Sequence, residues 1–348
     1  MKRTGIVYDR LFLEHKTGVH HVESPWRLES IWSTIKKTPA FDGLVDIPAR
    51  KASLEDVEAL HSAEHVEKIL DTANEPVRHL DPDTITSEKS FAAAFMAVGA
   101  VQQAVKAVMA HKVDNAFALV RPPGHHAERN RPMGFCIFNN IALGAQYAQS
   151  RFGLKRILIV DWDVHHPNGT QSLFETSPEV LLFSTHRFPF FPGTGNFDAC
   201  GSGAGLGFSL NVPLPAGIRD VDYMEIYHRL LVPVVREYQP ELILVSAGFD
   251  AHLDDPIGGM SVTEKGFAAM AGTVLNLAEE TCSGKTVLVL EGGYDLTALR
   301  RSVKSVLKTM LAPTANFDFR ESPRSVVTDT LEQVIQCHKE YWRCLQHD

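Results

Sequence analysis

Ile157-Leu158-Ile159-Val160-Asp161-Trp162-Asp163-Val164-His165-His166-Pro167-Asn168-Gly169-Thr170 decides how this chain folds. Large apolar residues, mostly β-branched, run directly into side chains that bind metals and carry protons. Such a run, bounded by polar turn residues, predicts a strand buried on both faces of a parallel sheet. Alternation along a strand would put Asp161, Asp163 and His165 on one face, with Trp162, Val164 and His166 on the other. A carboxylate and an imidazole two residues apart at a strand end make half of a metal site. Asn168 and Gly169 mark a turn leading into a helix. An ordinary polar loop after a core strand has no need of three co-facial ligand-type residues.

Outward from this stretch, the chain alternates apolar runs with amphipathic segments. Strands are expected at residues 4–8, 45–48, 116–120, 180–185, 242–249 and 286–290. Helices are expected from Ser24, with Pro25 in its first turn, and from Ser53 and Ser62, with Asp56 at capping-box spacing from Ser53. Further helices are expected over 87–111, which is rich in alanine, up to about 151, and over 220–238, 263–280, 296–311 and 329–345. Strand–helix alternation of this kind argues a mostly parallel sheet covered on both faces.

Four of the expected strands end in chemically capable residues. Arg121-Pro122-Pro123-Gly124 forces a rigid turn into His125 and His126. The opening stretch gives Asp161, Asp163 and His165; the strand over 242–249 ends at Asp250; and Glu291-Gly292-Gly293-Tyr294 follows the last strand. In open α/β sheets, ligands bind beyond the carboxyl ends of the strands. Asp163, His165 and Asp250 could supply three ligands to a divalent metal and leave a position open. Two carboxylates and an imidazole suit zinc and also accept ferrous iron. Paired histidines can manage protons, and Tyr294 can donate to a developing oxyanion. These residues point to metal-assisted hydrolysis of a carbonyl compound.

Composition bounds the alternatives. The chain has 348 residues, is 44% hydrophobic and 22% charged, and carries a net charge of −8. No repeat or linker interrupts it, so a single domain over 1–348 is expected. The acidic balance and the absence of a long Lys/Arg run argue against nucleic acid as partner. The first eight residues lack the apolar core of a signal peptide, and no run is expected to span a membrane. Cys136, Cys200, Cys282, Cys337 and Cys344 are scattered and odd in number, which fits a reduced cytoplasmic protein.

Arg-Pro-Pro-Gly-His-His-Ala, Asp-Trp-Asp-Val-His-His, Phe-Phe-Pro-Gly-Thr-Gly, Ala-Gly-Phe-Asp and Glu-Gly-Gly-Tyr occur in this order. With His21-x-Glu23-x-Pro25-x-Arg27 ahead of them, they resemble the histone deacetylase and acetylpolyamine amidohydrolase family over nearly the whole chain. Trp162 and Asn168 are similar to the class II branch. The resemblance implies the arginase-like α/β fold, with an eight-stranded parallel sheet between helices. It implies one catalytic Zn2+ on Asp163, His165 and Asp250. His126 matches the general base, and His125 its electrostatic partner, which helps protonate the leaving amine. Asp161 and Asn168 match the residues orienting His125 and His126, and Tyr294 the residue polarising the carbonyl. Phe135 and Phe191 match tunnel walls for an acyl-lysine stem, with Gly134, Gly293 and Ile257 along the substrate path. Asp161 and Ser184 match ligands of a structural K+.

The implied substrate is an acylated lysine peptide or protein, or an acetylated amine; self-association stays open. Ile257 stands where polyamine-selective members carry an acidic gatekeeper, and an apolar rim favours acyl-lysine. Three other readings stay open: an acetylpolyamine or other small acyl-amide hydrolase, a binuclear arginase-like hydrolase using further ligands from Asp250 to Asp255, and a non-catalytic acyl-lysine binder. Pro167 departs from the family's usual Gly. If a positive φ were required there, the loop carrying Asn168 would have to rearrange; at negative φ, proline only stiffens it.

Overall fold

The computed structural model describes residues 2–313, 319 and 321–346. Its strands are β1 (Thr4–Val7), β2 (Val45–Asp46), β3 (Arg78–His79), β4 (Ile85–Thr86), β5 (Asn115–Ala118), β6 (Ile157–Asp161), β7 (Val180–Arg187), β8 (Ser209–Leu214), β9 (Leu242–Ala247) and β10 (Thr286–Leu290). Eight of them form one sheet, parallel throughout, in the order β2-β1-β5-β10-β9-β6-β7-β8. The remaining two, β3 and β4, pair as a separate antiparallel hairpin. The eight-stranded parallel sheet expected from the sequence is present.

Every residue of β5, β6, β9 and β10 is buried, as their unbroken apolar runs require of strands covered on both faces. These four are consecutive neighbours in the sheet. Their carboxyl ends therefore lie side by side, and the residues that follow them converge from four separate parts of the sequence.

Helix starts follow local chemistry. Ser53 forms a capping box with Asp56, and Ser62 accepts from His65 N. The first long helix begins later than expected: Pro25 is its capping residue and Trp26–Lys36 its body. The alanine-rich helix is Ser90–Met109, because Ser90 Oγ accepts from Ser87 N and ends the preceding turn there. By length and composition this helix could cross a membrane, contrary to the expectation that no run would; its side chains are mostly buried in the core.

Other elements also depart from the sequence reading. The edge strand β8 was not anticipated, because Asn211 and Pro213 interrupt its apolar alternation. It pairs only with β7, and proline is tolerated on an edge. The helix expected over 220–238 contains a π turn, Tyr227–Leu231, just before Pro233. The last helix is Ser325–His338, followed by a separate short turn, Arg343–Leu345.

Glu23, Arg27, Arg121 and His15 make a fully buried charged cluster below the convergence point. Arg121 grips the Glu23 carboxylate through two nitrogens, at 2.5 and 2.7 Å, and Arg27 approaches it at 3.0 Å. Burial would raise the Glu23 carboxyl, but the Arg121 charge and hydrogen bonds, then Arg27, hold it well below its usual range. Burial, then the Arg121 charge, lowers His15 to about 3, so the imidazole is neutral.

Small residues let the Ser90–Met109 helix approach its neighbours. A Cβ on Gly99 would overlap the Arg50 carbonyl oxygen and crowd Ala52 N at 2.7 Å. Elsewhere in a helix, Gly→Ala gains about 1 kcal/mol; here overpacking costs roughly 1–3 kcal/mol. Gly99→Ala is therefore expected to lower the urea unfolding midpoint, and a higher midpoint would remove the close-approach explanation.

Candidate active site

Asp163, His165 and Asp250 are brought together, with ligand atoms all within 4.8 Å of one another and all three residues buried. Strand alternation is not what does this. β6 ends at Asp161, so Asp163 and His165 lie in the turn beyond it and are placed by main-chain hydrogen bonds. Asp163 N donates to Asp161 Oδ1 at 3.0 Å, and His165 N to Asp163 Oδ1 at 2.9 Å. Gly292 N donates to Asp163 Oδ2 at 2.9 Å, and Val164 N to Asp250 Oδ1 at 2.8 Å. A Cβ on Gly292 would collide with both carboxylates, which explains glycine there.

The donor set fits a cation. His165 Nδ1 lies 3.0 Å from Asp163 Oδ1 and 3.2 Å from Asp250 Oδ2. Asp250 Oδ2 is buried and makes no hydrogen bond. Burial, and then the neighbouring Asp163 charge, pushes the Asp250 carboxyl up. Two buried carboxylates beside one imidazole are stabilised by a divalent ion rather than by one another.

The histidine pair lies against this set. His125 and His126 have ring centroids 4.0 Å apart. His125 Nδ1 is 3.1 Å from Asp161 Oδ2, and His126 Nδ1 is 2.8 Å from Asn168 Oδ1. Burial works against a charged His125, but Asp163, then Asp161, reverse this and raise it to about 10. Burial, then the His125 and His165 charges, drives His126 well below its ordinary value. Adjacent rings are thus pushed toward opposite protonation states. Pro167 has φ −79°, so proline fits without rearranging the loop, and Asn168 reaches His126 as expected. His166 turns away, bonding Thr194 Oγ1 and Gln171 Oε1 at 2.8 Å each.

A cavity of about 210 Å³ opens above these groups. Gly134, Phe135, Phe191 and Ile257 line it, together with His126, His165 and Tyr294. The Phe135 ring meets Tyr294 edge-on at 5.8 Å, and Phe191 meets His126 edge-on at 5.1 Å. Phe135 holds φ +67°, uncommon for a bulky residue, directly after Gly134 at φ +56°. Tyr294 N donates to Asp255 Oδ2 at 2.7 Å, while Asp255 Oδ1 accepts from Ile257 N at 3.0 Å. One carboxylate thereby fixes both turns. Burial, then the Asp250 charge, pushes the Tyr294 phenol well above its ordinary value, so it is a hydrogen-bond donor at neutral pH.

Gly293 does not line the cavity. It takes φ +116°, and its carbonyl accepts from Arg27 Nε at 2.6 Å, so it acts through the backbone. Ser184 is the register partner of Asp161, and its Oγ lies 2.8 Å from His186 Nδ1.

Sequence reasoning missed two lining residues. Phe190 stacks on His165, with centroids 5.3 Å apart and planes at 15°. The motif that contains Phe191 also contains Phe190, and only the backbone turn separates their roles. Asp83 reaches the cavity from the segment leading into β4, and burial, then Asp81, pushes its carboxyl up. No local signal marks it, because the hairpin that carries it is distant in sequence. A second buried group, His125, Cys136 and Glu291, lies behind the site. Among the described residues, His252, Asp254 and Asp255 join neither metal-capable group, so the extra ligands expected of a binuclear enzyme do not assemble.

The histone deacetylase domain family matches residues 21–310. Human histone deacetylase 7 is 36% identical over 387 aligned residues, which cover 99% of this chain. The chain spans 40% of the length of that relative. The crystal structure of the HDA15 HD domain agrees with a TM-score of 0.92 at 35% identity, covering 99% of this chain and 97% of that one. Fold, motif order and the convergence of four strand ends thus have one explanation: the chain belongs to the histone deacetylase family, in its class II-like branch.

Proposed function

We propose that this chain, as one domain over 1–348, is a zinc-dependent amidohydrolase that removes acetyl or related acyl groups from the ε-amine of lysine. The observation that carries this reading is the buried Asp163–His165–Asp250 set, opening onto an aromatic-walled cavity that also presents His126 and Tyr294. A non-catalytic binder would need neither the proton-handling pair nor the phenol.

Asp163, His165 and Asp250 would hold the zinc, which when bound would supply Lewis acidity toward an amide carbonyl and a water molecule. The chain's own groups do the rest. Phe135 and Phe191 enclose the apolar stem of the substrate and exclude water. Asn168 Nδ2 donates to Glu128 Oε1 at 2.8 Å, which turns Asn168 Oδ1 toward His126 Nδ1. His126 therefore carries its proton on Nδ1 and leaves Nε2 free to take one from the attacking water. Tyr294 donates its O–H to the oxyanion that develops on the substrate. His125, charged and oriented by Asp161, stabilises that charge and protonates the leaving amine. A structural K+ at Asp161 and Ser184 belongs to the same proposal; the two residues are register partners on the neighbouring strands β6 and β7. A reducing, cytoplasmic setting is supported by the buried free thiols Cys136, Cys200 and Cys282.

Ile257 in the cavity wall favours the neutral stem of acyl-lysine over a polyamine chain. Asp83 in the same wall is the one observation favouring acetylated amines, since it offers a carboxylate to an ammonium group. Asp254 does not line the cavity; its side chain is 57% exposed.

Asp163→Ala and Asp250→Ala are each expected to lose zinc and turnover together; full metal occupancy with retained hydrolysis in either variant would refute the ligand assignment. The pH profile follows from His126. A base with a depressed pKa is active above that pKa and is lost as pH falls through it, so the acid limb of kcat/KM is expected below pH 6.5. Asn168→Asp places a carboxylate beside Nδ1 and should move that limb to higher pH; an unmoved limb would point to a different base. In a substrate panel, acetyl-lysine peptides are expected to show higher kcat/KM than acetylated putrescine or spermidine, and Ile257→Glu to narrow the gap. A clear wild-type preference for acetylpolyamines would overturn the substrate choice and leave the amidohydrolase reading standing.

A further inference from the structure

Glu291 belongs to a conspicuous motif, yet nothing above gives its side chain a task. It is fully buried at the end of β10, the strand between β5 and β9. Its main chain is tied to the metal-binding side of the site. Glu291 N donates to Ala247 O at 3.1 Å, at the end of the strand that leads to Asp250, and the next residue, Gly292, donates to Asp163. Arg27 Nη2 donates to the Glu291 carbonyl at 2.5 Å and Arg27 Nε to the Gly293 carbonyl at 2.6 Å, so the turn into Tyr294 is held from below.

The side chain reaches the other way. Glu291 Oε2 accepts from Gly124 N at 2.6 Å and from His125 N at 3.2 Å. These amides follow two prolines, which have no N–H; on the carbonyl side Asn140 Nδ2 donates to the Pro122 carbonyl at 3.0 Å and Thr170 N to the His125 carbonyl at 3.1 Å. Glu291 Oε1 is buried and makes no hydrogen bond, so Oε2 alone accepts from the two amides.

Resting on the amide-hydrolase reading, we propose that Glu291 is a positioning residue that pins the Gly124–His125 main chain to the turn carrying Tyr294. The proton-handling pair and the oxyanion donor stand on different strand ends, and one carboxylate oxygen fixes their spacing across the reacting carbonyl. The requirement is for an acceptor, not for a charge. Glutamine can present its carbonyl oxygen where Oε2 lies. Its amide nitrogen then occupies the Oε1 position. Methionine fills the same space and leaves both N–H groups without an oxygen.

The test compares wild type, Glu291→Gln and Glu291→Met as zinc-loaded protein. Melting temperature and metal content serve as checks on folding. Segment 122–125 contains Pro122, Pro123, Gly124 and His125, so its amide hydrogen exchange reports only on the two amides that Glu291 accepts from. Glu291→Gln should keep their protection and a kcat close to wild type on an acetyl-lysine peptide. Glu291→Met should expose them and lower kcat by roughly 10²-fold, as misplacement of a catalytic group by about 1 Å can do, with KM changed much less. Protection and kcat both unchanged in Glu291→Met would overturn the proposal. So would a Glu291→Gln variant that keeps protection but loses as much kcat as Glu291→Met, because charge would then be the requirement. If the wild type hydrolyses no acyl amide, the functional reading fails, and the exchange comparison still decides whether Glu291 pins the turn.

Discussion

Two carboxylates, Asp163 and Asp250, are held in the same buried space, and much of this structure exists to make that tolerable. Unpaired charges in a protein interior cost several kcal/mol each. The molecule offsets this with main-chain N–H groups from Val164, His165 and Gly292, and with the His165 imidazole between the two carboxylates. Asp250 Oδ2 still lacks a hydrogen bond. Apart from the 3.2 Å approach of His165 Nδ1, that oxygen has room for the proposed cation, which would then serve as the electrophile beside His126 and Tyr294.

The same burial divides the two histidines. A fully buried imidazole resists charge, and His125 overcomes this only because Asp161 and Asp163 flank it. His126 has an amide oxygen instead of a carboxylate at its Nδ1, and the His125 charge beside it. The carboxylates of Asp163 and Asp161 beside His125, against the amide of Asn168 beside His126, push adjacent imidazoles in opposite directions. Below them, Glu23 with Arg27 and Arg121 forms a second buried charged cluster, whose spare donors hold the Gly293 turn. Within this cluster Arg121 and Arg27 neutralise the Glu23 carboxylate, and that fixes its geometry.

How much of this was legible in the sequence depended on how local the cause is. β10 and the Leu296–Leu311 helix fall where residue types and caps place them. The clustering of Asp163, His165 and Asp250 was legible because each follows a long apolar run, even though the strand-face argument for Asp163 and His165 was incorrect. β6 stops at Asp161, and hydrogen bonds in the turn do the placing. β8 was not legible, since its partner and edge position, not its composition, license Pro213. Phe190 and Asp83 were not legible as cavity residues, because their roles depend on a turn and a hairpin packed against distant segments. Glu291 was visible as part of a motif, but only the fold shows that its oxygen spans two strand ends.

The proposed chemistry depends on a single catalytic metal held at one place. X-ray data collected on either side of the zinc absorption edge, from crystals of the zinc-loaded protein, would locate it directly. One anomalous peak is expected, bounded by Asp163, His165 and Asp250. No peak there, or a full-occupancy peak instead among His125, Cys136 and Glu291, would contradict it.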